Sequence, residues 1–168
     1  SILDTEPSMF DFEYNDYQNS IKTALFFDEW INEKDEEFLF ENYNIRPGEI
    51  KAKLDIAEWL LFSITEIERI RKNYNIISEI NKIRTRLKYG VKEELLPLLR
   101  LKNIGRVRAR SLFRNNIKTL GDIKNTDITS LTQIIGKSTA LNVKEQLGQK
   151  TEIVKENKRK GQKSVNDY

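Results

Sequence analysis

Apolar side chains in this sequence recur at the spacing of a helix and nowhere alternate for long enough to make a strand. The clearest run is Ile50, Leu54, Ala57, Leu61 and Ile64, at i, i+4, i+7, i+11 and i+14, which lines one face of an α-helix. No stretch alternates with period two over enough residues to suggest a sheet. The spacing predicts an all-α chain. Helices are expected from near Tyr14 to Ile31, from Asp35 to Tyr43, from Pro47 to Tyr74 and from Ile76 to Lys88, stopping before Gly90. Trp30, Phe26, Phe27 and Phe38 belong to this apolar pattern and are read as core. From Val91 the rhythm shortens, with helices expected near 92–100, 106–115, 119–124, 128–134 and 138–147. The chain therefore divides into a helical bundle over 1–88, a hairpin-rich module over 89–148 and a tail over 149–168. The tail is rich in Lys, Gln and Asn and is expected to be flexible and basic.

Charge is distributed unevenly. Residues 1–50 carry thirteen acidic and three basic side chains, whereas 51–168 carry thirteen acidic and twenty-six basic ones. One surface should repel polyanions and another attract them. The plainer alternative is an acidic helix packed on basic helices of the same fold. With no Cys and no His in 168 residues, disulfides, thiolate zinc sites and imidazole catalysis are excluded. No signal peptide or membrane-length apolar run is read, which fits a cytoplasmic protein.

The densest chemistry lies in Leu101-Lys102-Asn103-Ile104-Gly105-Arg106-Val107-Arg108-Ala109-Arg110. A tight turn that opens into a helix points several backbone N–H groups at one place, where the helix dipole also favours an anion. Between Leu95 and Gly121 there are seven basic residues and no acidic one. Arg106, Arg108, Arg110 and Arg114 are accordingly candidates for sequence-independent phosphate contact. The competing reading is a solvated helix face in a protein–protein module. The pattern has an echo, since Ile104-Gly105 and Ile135-Gly136 are each followed by Ala four residues after the Gly. Two such turns resemble a paired helix-hairpin-helix domain. Asn103 stands where that motif usually has its first Gly, a mild departure because Asn tolerates left-handed backbone. Gly136-Lys137-Ser138-Thr139 copies the end of a P-loop, but Leu131 replaces the required upstream Gly and no strand precedes it. Gly136 and Lys137 are kept as a second phosphate contact.

Trp59 falls roughly opposite the apolar stripe, between the small residues Ala52 and Ser63. It could stack on an unpaired base, or it could fill a second helix interface beside Ile56 and Phe62. In the tail, Gln162, Val165 and Tyr168 follow the spacing by which short peptides plug into sliding clamps. A plain solubilising terminus is the other reading.

Several segments together resemble the C-terminus of archaeal Hjm-type DNA helicases, superfamily-two enzymes that move 3′ to 5′ in repair. They are Ile21-Lys22-Thr23-Ala24-Leu25, Trp30 to Asp35, Pro47-Gly48-Glu49-Ile50, Ala57-Glu58-Trp59-Leu60-Leu61 and Tyr89 to Leu96 running into Leu101–Arg110. The resemblance implies a ratchet-like helical domain followed by a DNA-gripping helix-hairpin-helix domain that can act as a brake. It implies single-stranded or forked DNA as partner and a nucleoid-associated setting. ATP and Mg²⁺ would belong to motor domains lying before Ser1, and no cofactor is expected in this segment. Trp59 matches the family's base-stacking tryptophan. Where the family tends to place an arginine seven residues earlier, this chain has Ala52 flanked by Lys51 and Lys53, which become candidate strand contacts along with Ile104 and Gly105 of the hairpin. A nuclease's DNA-anchoring module, or a clamp-recruiting adaptor, are the competing functions.

Overall fold

Helix ends in this chain trace to single residues. The computed structural model describes residues 6–149, and the Gln162, Val165 and Tyr168 motif lies outside the described residues. Within them Asp35 caps one helix by accepting from the Phe38 amide (2.8 Å), and Thr119 and Asp122 cap another reciprocally. The elements run α1 (Tyr14–Ile31), α2 (Glu36–Tyr43), α3 (Pro47–Ile70), α4 (Tyr74–Tyr89), two 3₁₀ turns (Glu93–Leu95 and Leu98–Arg100), α5 (Arg106–Arg114), α6 (Leu120–Asn125), α7 (Ile128–Ile135) and α8 (Lys137–Gln146). No strand occurs among the described residues. No described helix is long and apolar enough to cross a membrane.

Two expected boundaries move, each for a local reason. The α3 helix stops at Ile70 and not Tyr74 because Lys72 turns left-handed (φ 60°) and the Asn73 amide bonds back to the Glu68 carbonyl (3.0 Å), a Schellman ending. The helix expected over 92–100 is instead the pair of 3₁₀ turns. Pro97 has no N–H with which to reach back to the Glu93 carbonyl, and the Leu96 amide bonds that carbonyl at short range (3.0 Å).

Apolar burial makes two clusters. Phe26, Leu39, Ile45 and Ile50 are buried where α1, α2 and α3 meet, with Phe27, Trp30, Phe38, Tyr43 and Leu54 around them. The α3 and α4 helices pack as a hairpin beside them, and α4 also packs on α1. A larger cluster fills the C-terminal half, including Val91, Leu95, Leu98, Leu112, Ile123, Leu131 and Val143.

The end of α1 joins the two. Glu33 follows α1 in left-handed backbone (φ 70°), which costs a non-glycine residue about 1 kcal/mol. Its carboxylate accepts from Arg110 through both oxygens (Nε to Oε2, 2.7 Å; Nη2 to Oε1) and from the Lys92 amide (3.1 Å). Arg110 also donates to Glu94 (2.7 Å). One helical turn away, the Trp30 indole N–H donates to the Leu87 carbonyl (2.7 Å). Its ring lies 5.2 Å from the guanidinium carbon of Arg106, which itself donates to the Lys34 carbonyl (2.8 Å). Gly90 ends α4 beneath this stack with φ +62°, and a Cβ there would fall 2.7 Å from the Trp30 ring. Acidic and basic halves of the chain thus meet within the fold, as the plainer reading of the charge asymmetry has it.

Burial pushes the Glu33 carboxyl up, but hydrogen bonds from Arg110 and the Lys92 amide, with the charges of Arg110 and Arg106, more than offset it. The net pKa lies below its ordinary value. Its contribution to stability is therefore complete above the unfolded-chain pKa of about 4.3 and is lost as pH falls through the lower folded value. At pH 7 we expect Glu33→Gln to cost on the order of 3 kcal/mol by leaving Arg110 poorly paired. In thermal melts the gap between wild type and variant should narrow below about pH 4; an equal gap at pH 7 and pH 3 contradicts the pairing. Gly90→Ala should lower the melting temperature as well, because the left-handed backbone there costs a Cβ-bearing residue at least about 1 kcal/mol.

Candidate nucleic-acid interface

Both sequence echoes form the start of a helix, by different backbone routes. In the first, Leu101 and Ile104 are buried and pin the turn, and Asn103 adopts the left-handed conformation its residue type permits (φ 66°). Gly105 caps α5 in extended backbone (φ −109°), and the Ala109 amide closes the first helical bond onto its carbonyl (2.9 Å). In the second, Ile135 is buried, Gly136 takes φ 83° and ψ 149°, and the Ala140 amide closes onto it (2.9 Å). Ala109 and Ala140 are both fully buried, which explains the spacing seen in the sequence. A Cβ on Gly105 or Gly136 would meet nothing within 4 Å among the described residues. The first-turn amides of α5 and α8, which have no intrahelical partner, take no side-chain cap among the described residues.

A polar network fixes the first turn against α8. The Lys102 amide donates to Gln146 Oε1 (2.8 Å), and Gln146 Nε2 donates to the Lys102 carbonyl (3.2 Å) and Asn142 Oδ1 (2.7 Å). Asn103 Nδ2 donates to the same Asn142 oxygen (3.1 Å). Arg108 extends from α5 to the Asn103 carbonyl (3.0 Å) and remains exposed. Neither Gln146 nor Asn142 was evident from the sequence; no charge or glycine signal marks them.

The expected arginine cluster is corrected by this geometry. Arg106 and Arg110 are tied to Trp30, Lys34, Glu33 and Glu94, and do not stand as mobile charges around the turn. Burial lowers the Arg106 pKa, with Glu33, Asp35 and Glu36 pulling the other way, and the guanidinium stays charged. Arg114 is exposed but lies at the far end of α5, roughly 12 Å of helix rise from Arg106. Ile104 is buried and anchors the turn. Lys144 is nearly buried and serves the fold by donating to the Lys124 carbonyl and Gln149 (both 2.9 Å). What the structure brings to the two turns is Asn103, Gly105 and Arg108 at one, and Gly136 with exposed Lys137 at the other.

Trp59 stands on α3, with two-thirds of its surface open. Ile56 and Phe62 beside it are also exposed, so neither closes a second interface over it among the described residues. Ser63 bonds back to the Trp59 carbonyl (2.9 Å) and leaves a shallow step next to the indole. Lys51 and Lys53 do not join it. At about 100° per residue they lie roughly 80° and 120° around the helix from Trp59, and Lys51 stands about 12 Å of rise away. Lys51 pairs with Asp55 (3.3 Å), and Lys53 lines a cleft with Lys22 and Tyr43.

Comparison with known proteins agrees with this layout. Residues 1–90 match the family described as archaeal helicase, domain 4, and residues 95–149 match the SAM-like helix-hairpin-helix tandem. Among similar proteins, the ATP-dependent DNA helicase Hel308 of Pyrococcus abyssi is 36% identical over 87% of this chain and 22% of its own length. That of Methanococcus vannielii is 42% identical over 70% of this chain and 16% of its own length. That of Methanocaldococcus jannaschii is 37% identical over 83% and 11%. The chain thus spans about a fifth or less of these relatives.

The turn network makes a structural prediction of its own. Gln146→Leu removes both bonds to Lys102, at a cost of about 1–2 kcal/mol. Hydrogen exchange at the Lys102 amide should accelerate while exchange around Gly136 stays unchanged; full protection at Lys102 in the variant would contradict the network.

Proposed function

This chain belongs to the archaeal helicase domain 4 family, and on that premise we propose that it is the DNA-gripping part of an ATP-dependent 3′–5′ helicase acting on single-stranded or forked DNA. The observation that carries the proposal is Trp59, a large indole left two-thirds exposed in the middle of a long helix. Burial of an exposed tryptophan against a base is worth roughly 1–3 kcal/mol and does not depend on base identity, as a strand-tracking contact requires. The paired turns supply a complementary grip. Uncapped amides at the starts of α5 and α8, with Arg108 and Lys137 beside them, suit phosphate oxygens regardless of sequence.

In this reading α3 registers the single strand base by base, and the hairpin module holds the backbone as it leaves. Arg106 and Arg110 act indirectly, since they fix the module to the bundle and so set the spacing between Trp59 and the turns. ATP and Mg²⁺ chemistry belongs to motor domains of the whole helicase and involves none of the residues described above. The Gln162, Val165 and Tyr168 tail serves as a contact for a sliding clamp. The working location is the cytoplasm, on the nucleoid.

Titration of fluorescent oligonucleotides tests this. Trp59→Ala should weaken single-strand binding about tenfold and leave duplex binding unchanged. Arg108→Ala should weaken both and reduce the slope of log affinity against log salt by about one. Equal loss on single strand and duplex for Trp59→Ala would remove the stacking role.

A further inference from the structure

The face of α4 that turns away from α3 carries a feature the proposed function does not use. Ser78, Asn81, Lys82, Thr85 and Lys88 recur at helical spacing along it. They form one wall of an open cleft of about 560 Å³ whose other side is the 3₁₀ pair. Tyr89, Leu96 and Leu99 give the cleft an aromatic and aliphatic lining, and Arg100 borders it on the 3₁₀ side. Among the described residues no carboxylate is part of the lining itself, although Glu79 and Glu93 reach Lys82 from outside it.

Its cations are not equivalent. Lys82 is neutralised by Glu79 (2.9 Å) and Glu93 (3.5 Å). Lys88 and Arg100 form no ion pair among the described residues, and both are exposed. The Lys88 ammonium lies 5.5 Å from the centre of the Tyr89 ring, so charge and aromatic surface adjoin.

We infer that this cleft is a second binding groove for single-stranded nucleic acid, with Lys88 and Arg100 on phosphates and the half-buried Tyr89 and Leu96 against bases, over a floor of buried Leu99. An aromatic and aliphatic lining bordered by unpaired cations is the combination that unpaired strands select, because bases need an apolar surface and phosphates need charge. An anionic small molecule would need donors converging at one point, whereas these cations stand on separate walls of the cleft. The cleft ends at Arg100, next in sequence to the first turn. Arg100 is followed directly by Leu101–Gly105, so a strand leaving the cleft at Arg100 meets the first hairpin. The inference rests on the proposed DNA-binding role and extends it to a longer path.

The test is titration of the whole chain with fluorescein-labelled oligothymidylate of about twenty nucleotides, beyond the 4–16 that one binding fold commonly covers. Lys88→Gln with Arg100→Gln should reduce the salt slope by about 1.4, at roughly 0.7 for each single-strand phosphate no longer neutralised. Tyr89→Leu should weaken binding at least fivefold, and Tyr89→Phe should restore it. Lys22→Gln with Arg46→Gln removes the same charge from the acidic half and should leave the slope unchanged. If the Lys88 and Arg100 variant keeps the wild-type slope while Trp59→Ala weakens binding, the groove is refuted and the proposed function stands; the cleft would then suit an acidic protein surface. If wild type takes up no oligonucleotide, both fail.

Discussion

The position of everything else in this chain depends on one carboxylate. Glu33 ends α1 in a backbone conformation that its residue type disfavours, and from there it binds Arg110 and the Lys92 amide at once. A charged pair this enclosed is held only when its hydrogen bonds are satisfied. Here Arg110 has Glu94 as a further partner (2.7 Å) and the Phe113 ring alongside it (5.2 Å). Trp30 reinforces the junction from the next turn, with Leu87 on one side, Arg106 above and no room for a side chain at Gly90. Two modest apolar clusters are thereby joined in one defined orientation. Without that joint, Trp59 and the paired turns would have no fixed spacing.

The joint also sorts the basic residues by purpose. Arg106 and Arg110 lie about 40° apart around α5, whereas Arg108 falls on the opposite side. The first two meet the bundle, and the third remains beside the turn. Charge that looks uniform along the sequence is thus split between side chains that hold the fold together and one left exposed beside the turn. The acidic first fifty residues serve cohesion where Glu33 meets Arg110. Gln146 and Asn142 complete the arrangement by holding the first turn against α8.

Much of the architecture was legible because the controlling features are local. Apolar stripes at helical spacing gave the helices, Gly90 gave the end of α4, and the Ile-Gly pairs gave both turns. The left-handed Asn103 followed from its side chain. Local reasoning failed where a single residue overrode the pattern, as Pro97 did by dividing one helix into two turns, and Lys72 did by ending α3 early. The candidate interface was less legible. Periodicity alone separates Arg108 from Arg106 and Arg110, but nothing in the spacing says which face meets Glu33, seventy-seven residues away. Lys51 and Lys53 looked like substitutes for a neighbour of Trp59 because they flank Ala52 in sequence, yet flanking positions on a helix point away from one another.

The central claim is that uncapped amides at the starts of α5 and α8 face the phosphate backbone while the Trp59 indole takes a base. Backbone and indole N–H chemical shifts, followed by NMR as a short oligothymidylate is added at low salt, test it most directly. The largest changes are expected at residues 105–108 and 136–139 and at the Trp59 indole, with the Trp30 indole unmoved in its bond to Leu87. Changes confined to other surfaces, with residues 105–108 and 136–139 silent, would contradict it.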